Sequence, residues 1–326
     1  MAYSTEVVRR ARARLEQARA DREQENREHL ERAYSEVARL REIDRQLRLT
    51  MAKAAQAAFA GGNAETLMAK ARQENQTLQV ERKMLILENF EDGYLDDSPI
   101  CRHCGGTGYV GSTMCECLRE LCRQEQKKEL TVLSVGRESF DQFRLDYYPS
   151  QVDPRLGFSP RTVMERNFEI CRRYAYQFGP KAGNLLFSGN TGLGKTFLSA
   201  CIARVVADNG HSVVYESAGK MFQTLERARF EPSDETRAAA EKYTACDLLI
   251  VDDLGTELAG QFVTSALYTL VNDRILEGKP TIISTNLPAD ELSRRYSPQI
   301  ASRLRGNYRT VAFVGEDIRL MKNRGM

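Results

Sequence analysis

The segment Asn184-Leu-Leu-Phe-Ser-Gly-Asn-Thr-Gly-Leu-Gly-Lys-Thr196 constrains this chain more than any other stretch. Apolar residues run into a glycine-punctuated loop, and an apolar pattern of helical period follows Thr196, which predicts strand, loop and helix in succession. The spacing Gly189-x4-Gly194-Lys195-Thr196 fits the Walker A phosphate-binding pattern. In such a loop the backbone N–H groups wrap phosphates, the lysine reaches the β and γ oxygens, and the hydroxyl binds Mg²⁺. Asn190, Thr191, Gly192 and Leu193 complete the loop. The helix from Lys195 then offers its unpaired N–H groups and positive dipole end to the anion.

Regular alternation surrounds this loop. Strands are expected at 185–188, 212–216, 248–252, 281–285 and 309–313, with helices at 195–208, 218–229 and 262–276. Strands separated by helices call for an α/β fold, a parallel sheet with helices on both faces, whose ligands gather at the carboxyl ends of the strands. The apolar run Leu248-Leu-Ile-Val ends in Asp252 and Asp253, the Walker B form. Asp252 is expected to hold Mg²⁺ through water and Asp253 to orient the attacking water. Asn286 closes the strand at 281–285 and is placed to position the same water. Arg303, on a short helix at 300–306, is the choice for an arginine reaching the γ-phosphate of a neighbouring subunit, with Arg305 next.

Upstream, residues 2–59 contain neither proline nor glycine and are rich in helix formers, which predicts one very long helix. Leu30, Tyr34, Val37, Leu40, Ile43 or Asp44, Leu47 and Met51 form a seam at steps of three and four. Gly61-Gly62-Asn63 breaks the helix, and 64–89 resumes it with Leu67, Ala71, Leu78 and Leu85 on one face, giving an antiparallel hairpin. The pairs Cys101-x2-Cys104 and Cys115-x-Cys117 then flank a glycine-rich turn, a spacing able to close a tetrahedral Zn²⁺ site. The fourth ligand is open between Cys117, His103 and Cys122. Aromatics from Phe140 to Tyr148 either flank a nucleotide base or belong to the core. Ser159-Pro160 is a helix start.

Composition narrows the classes. Lys and Arg total 47 against 45 acidic residues, so net charge draws the chain to neither nucleic acid nor membrane in bulk. No apolar run reaches a membrane span, and the arginine-rich start lacks an apolar signal core, so a cytoplasmic protein is expected. The organisation expected is a helical arm at 1–90 for partner docking, a zinc knuckle at 91–125, a linker and lead-in helix at 126–183, and an ATPase domain without a full lid at 184–326.

Taken together, Gly189-Asn-Thr-Gly-Leu-Gly-Lys-Thr196, Asp252-Asp253-Leu-Gly-Thr-Glu257, Ser284-Thr-Asn286-Leu and Ser302-Arg-Leu-Arg-Gly306 resemble the AAA+ ATPases of the DnaC/DnaI helicase-loader and IstB transposition-helper group. The likeness covers roughly 140–326, and the cysteine segment is similar to the zinc-binding part of DnaI-type loaders. The resemblance implies that Lys195, Thr196 and Asp252 bind Mg-ATP, that Asn286 is a sensor, and that Arg303 is a finger acting on the next protomer. Asp253 stands where many members have glutamate, which suggests slow hydrolysis. The job implied is ATP-dependent loading of a hexameric replicative helicase onto single-stranded DNA by self-associating protomers. DNA contacts are expected near Lys220 and the 256–261 loop. The rival job is an IstB-like transposition helper on duplex DNA, and a protein-binding adaptor is the third.

Overall fold

A computed structural model describes residues 3–57, 64–132, 138–154, 157–179 and 181–323. The chain divides into two compact units, Ala13–Cys115 and Met1–Arg12 with Glu116–Met326.

The long N-terminal helix, most of which falls in the first unit, is interrupted. Helix α1 (Thr5–Glu36) ends before Val37 and α2 (Ala38–Ala57) begins after it. There the Leu40 amide donates to the Val37 carbonyl, three residues back, so the four-residue ladder slips for a turn. The antiparallel hairpin is therefore made by α2 with α3 (Ala64–Asn89). Residues early in α2 meet residues late in α3: Arg39 pairs with Glu81 at 2.7 Å and Asp44 accepts from Arg82 at 2.7 Å, while Asn75 donates to Thr50 at 3.0 Å. Leu40, Ile43 and Ala71 are buried along the seam. The Gly61-Gly62-Asn63 break lies outside the described residues. A tight hairpin follows in the cysteine segment, β1 (Tyr109–Val110) against β2 (Thr113–Met114).

The second unit carries α4 (Glu116–Val132), α5 (Pro160–Tyr176) and a five-stranded parallel sheet. In chain order its elements are β3 (Asn184–Ser188), α6 (Lys195–Asp208), β4 (Val213–Ser217), α7 (Ala218–Phe230), α8 (Asp234–Ala245), β5 (Leu248–Leu254), α9 (Gln261–Leu276), β6 (Thr281–Thr285), α10 (Ala289–Arg295), α11 (Pro298–Asn307), β7 (Tyr308–Ala312) and α12 (Ile318–Asn323). The order across the sheet is β4-β5-β6-β3-β7. Alternation sorts the side chains onto two cores. Leu185, Phe187, Leu248, Ile250 and Ile282 face one layer with α5 and α6, while Leu186, Leu249, Val251 and Ile283 face the other with α7, α9 and α11. Burial on both faces explains why these strands read as continuous apolar runs.

Ser159 caps α5 as expected, accepting from the Thr162 amide at 3.1 Å. Helix α8 was not expected; its signal is the capping box of Ser233 and Thr236. The exposed edge of β4 is closed by the side chain of Gln126 on α4, which donates to the His211 carbonyl and accepts from the Val213 amide. One side-chain amide thus stands in for a neighbouring strand.

Candidate nucleotide site and cysteine cluster

Gly189, Gly192 and Gly194 of the loop between β3 and α6 all take positive φ, and two of them show why a side chain is excluded. Gly189 has φ of 145° and a Cβ there would strike the Phe313 carbonyl behind it. Gly194 has φ of 91° and a Cβ would lie 2.9 Å from the Tyr148 hydroxyl. Tyr148 is fully buried and donates to the Leu193 carbonyl at 3.0 Å, so it braces the loop from beneath. The aromatic lead-in is therefore shared between roles. Phe140 is core, whereas Phe143, Tyr147 and the buried Tyr148 line a cavity of about 300 Å³ together with Lys195, Thr196, Asp253 and Asn286.

Lys195 is buried at the start of α6 and donates to the Gly189 and Asn190 carbonyls, each at 2.7 Å, and to Asn286 Oδ1 at 2.6 Å. Burial lowers its pKa, against the pull of the Asp253 and Asp252 charges. Arg319 lines the same cavity and adds to the lowering. Burial raises the pKa of Asp253, helped by Asp252 and opposed by Lys195.

The two aspartates sit on a bulge. Val251 pairs with Ile283 and Leu254 with Thr285, so Asp252 and Asp253 together oppose Ser284. Asp253 takes φ of 54°, the single non-glycine residue at positive φ among the described residues. Such a backbone costs on the order of 1–3 kcal/mol and persists where the surroundings fix it. Here its amide donates to Ser284 Oγ at 2.9 Å. Ser284 in turn donates to Asp252 Oδ1, and Tyr215 donates to Asp252 Oδ2 at 2.7 Å. Ser284 opens the Ser284-Thr-Asn286 motif of the sequence, but nothing there pointed to its contact with Asp252, and Tyr215 belongs to no spaced motif.

Arg303 lies on α11 and does not line the Lys195 cavity. It donates to Asn272 Oδ1 at 3.1 Å and to the Tyr268 hydroxyl at 2.6 Å, with its guanidinium over the Tyr268 ring. Arg305, the next choice, donates to the Ala301 carbonyl of its own helix, and Arg295 at the end of α10 donates to the Glu257 carbonyl.

In the cysteine segment, the sulfurs of Cys101, Cys104, Cys115 and Cys117 all lie within 4.8 Å of one another. Four thiolates about 2.3 Å from a tetrahedral zinc would be spaced by roughly 3.8 Å, and Cys101 and Cys115 are 3.8 Å apart. The Gly108 amide points at Cys104 Sγ, 3.2 Å away. The donor set therefore fits zinc. Of the ligands left open, Cys117 joins the group, whereas His103 and Cys122 do not. Cys122 is instead buried on α4, where desolvation pushes its pKa up to about 11.

Among the described residues, no helix is long and apolar enough to cross a membrane. Residues 167–320 match the family described as IstB-like ATP binding protein. An insertion sequence ATP-binding protein of Sinorhizobium fredii is 35% identical over 114 residues, 35% of this chain and 37% of that one. The replicative helicase loader DnaC of Escherichia coli is 23% identical over 144 residues, 44% of this chain and 59% of that one. This chain thus spans less than two thirds of the length of either relative. The crystal structure of the DnaC helicase loader superposes with a TM-score of 0.47 at 19% identity, covering 56% of this chain and 99% of that one. Over residues 167–320, which hold the Walker loop, the paired aspartates and the parallel sheet, this chain is thus similar to the IstB-like ATP binding proteins.

Proposed function

We propose that this protein is an ATPase that uses ATP to assemble copies of itself and to load a hexameric replicative helicase onto single-stranded DNA. Lys195 and the N–H groups of 189–194 hold the phosphates, while Thr196 and Asp252 hold Mg²⁺. The metal, when bound, neutralises charge developing on the phosphates. Asp253 and Asn286 orient the attacking water.

The observation that carries the assembly step is the place of Arg303, held by Tyr268 and Asn272 outside the cavity of its own protomer. A guanidinium so placed serves a neighbouring copy. The cysteine cluster, loaded with zinc, gives the docking region a fixed turn. Docking itself falls to the helical arm, where Val80, Met84 and Leu87 are 64%, 53% and 54% exposed at steps of four and three along α3. Pull-down with the replicative helicase, with and without ATP, tests the reading: capture should require ATP and the arm.

A second reading has its own support. The 35% identity to an insertion sequence ATP-binding protein favours a transposition helper. In that case the helicase is not captured, and ATP drives tight binding to duplex DNA instead.

A further inference from the structure

The proposed magnesium ligand is gripped from both sides by neighbouring strands. Asp252 is buried, and each of its carboxylate oxygens accepts from one hydroxyl, Ser284 on β6 and Tyr215 on β4. The geometry behind each contact is unusual. In the parallel register Ser217 pairs with Asp252 and Tyr215 with Ile250, so Tyr215 reaches Asp252 along a diagonal. Diagonal partners stand roughly 7–8 Å apart at the backbone, a gap that only a long side chain closes. Ser284 reaches through the bulge, where two residues oppose one. Its hydroxyl accepts from the Asp253 amide, which turns its own hydrogen toward Asp252.

A buried tyrosine or serine hydroxyl needs only some acceptor, and backbone carbonyls usually serve. Here both converge on one carboxylate from opposite sides. A carboxylate has about four lone-pair directions, so two donors fix its plane and leave the remaining directions for a cation or its water.

We propose that Tyr215 and Ser284 are positioning residues that clamp Asp252 in the orientation in which it holds Mg²⁺. The inference rests on the reading of Asp252 as the magnesium ligand. The clamp also ties Asp252 to the strained backbone of Asp253 through one serine, so the orientations of the two aspartates are linked.

The test is a magnesium titration of fluorescent ATP-analogue binding on the full chain, with a parallel series in EDTA and a melting curve for each variant. Partners of metal ligands typically set affinity by a factor of ~10 to 100. Tyr215→Phe and Ser284→Ala should each raise the half-saturating magnesium concentration by about that factor, with the loss confined to the magnesium series. Folded variants with the wild-type magnesium dependence overturn the clamp, and so does an equal loss with and without the metal. Should Tyr215→Phe fail to fold, Ser284→Ala decides in the same way. Asp252→Asn separates the two levels of the argument: if that variant keeps its magnesium dependence, the assignment of Asp252 falls and the clamp with it.

Discussion

The cysteine cluster and the nucleotide site differ in how much chain is needed to close them. Cys101, Cys104, Cys115 and Cys117 come from one short stretch, and a two-residue hairpin brings the second pair back to the first. The site around Lys195 gathers Tyr148 from the lead-in, Gly189 to Lys195 from the loop, Asp252 and Asp253 from β5, Ser284 and Asn286 from β6 and its end, and Arg319 near the C-terminus. A local site draws its stability from what binds it. A dispersed site is as stable as the sheet that positions it. Chelation should therefore destroy the first and spare the second.

The largest effect that sharpens this contrast is metal removal. A structural zinc contributes on the order of 10–16 kcal/mol to the fold of its own segment. Stripping it should abolish hydrogen-exchange protection at the Gly108 and Cys115 amides, which donate to Cys104 Sγ and the Gly108 carbonyl, while nucleotide binding persists. Purified reduced protein without metal would break the contrast at once. Next comes Lys195→Ala, which should weaken ATP-analogue binding by about 10²-fold or more and leave the cysteine segment protected.

Arg303→Ala should leave binding intact and cut hydrolysis in the assembled state by a factor of about 10³, read as turnover against protein concentration. Normal turnover would move the finger elsewhere. In the arm, Ile43→Ala removes a fully buried side chain and should cost about 2–5 kcal/mol locally, seen as loss of helical signal with nucleotide affinity unchanged.

The smallest effect is a pH dependence. Burial and Asp252 raise the Asp253 pKa, so its protonated form is favoured in the folded protein. Its stabilising contribution is full below the unfolded value and lost as pH rises through the folded one. Asp253→Asn should accordingly melt above the wild type at neutral pH, with the gain vanishing in acid, while hydrolysis falls by about 10²-fold or more.

Much of this was legible because its cause is local. Glycine spacing predicts the loop between β3 and α6, apolar runs predict the strands, Ser159-Pro160 predicts the start of α5, and two cysteine pairs predict a thiolate cluster. Proline and glycine are the strongest breakers a sequence displays, and α1 is interrupted at Val37 without either. Neighbouring residues alone thus determined strand, loop and helix, the cysteine group, and which side chains are candidates for chemistry.

Only the tertiary structure decided what those side chains touch. Arg274 is buried and, among the described residues, pairs with no carboxylate; its guanidinium is spent on Thr281 and on the Tyr243, Cys246 and Pro280 carbonyls. Tyr215 meets Asp252 through strand register, Ser284 meets both aspartates through a bulge, and Arg303 rests on Tyr268 across two helices. The physical reason is common to all of them. Motif spacing records the period of one element, whereas these contacts depend on the register and crossing of elements far apart in the chain, which the packing of the cores sets.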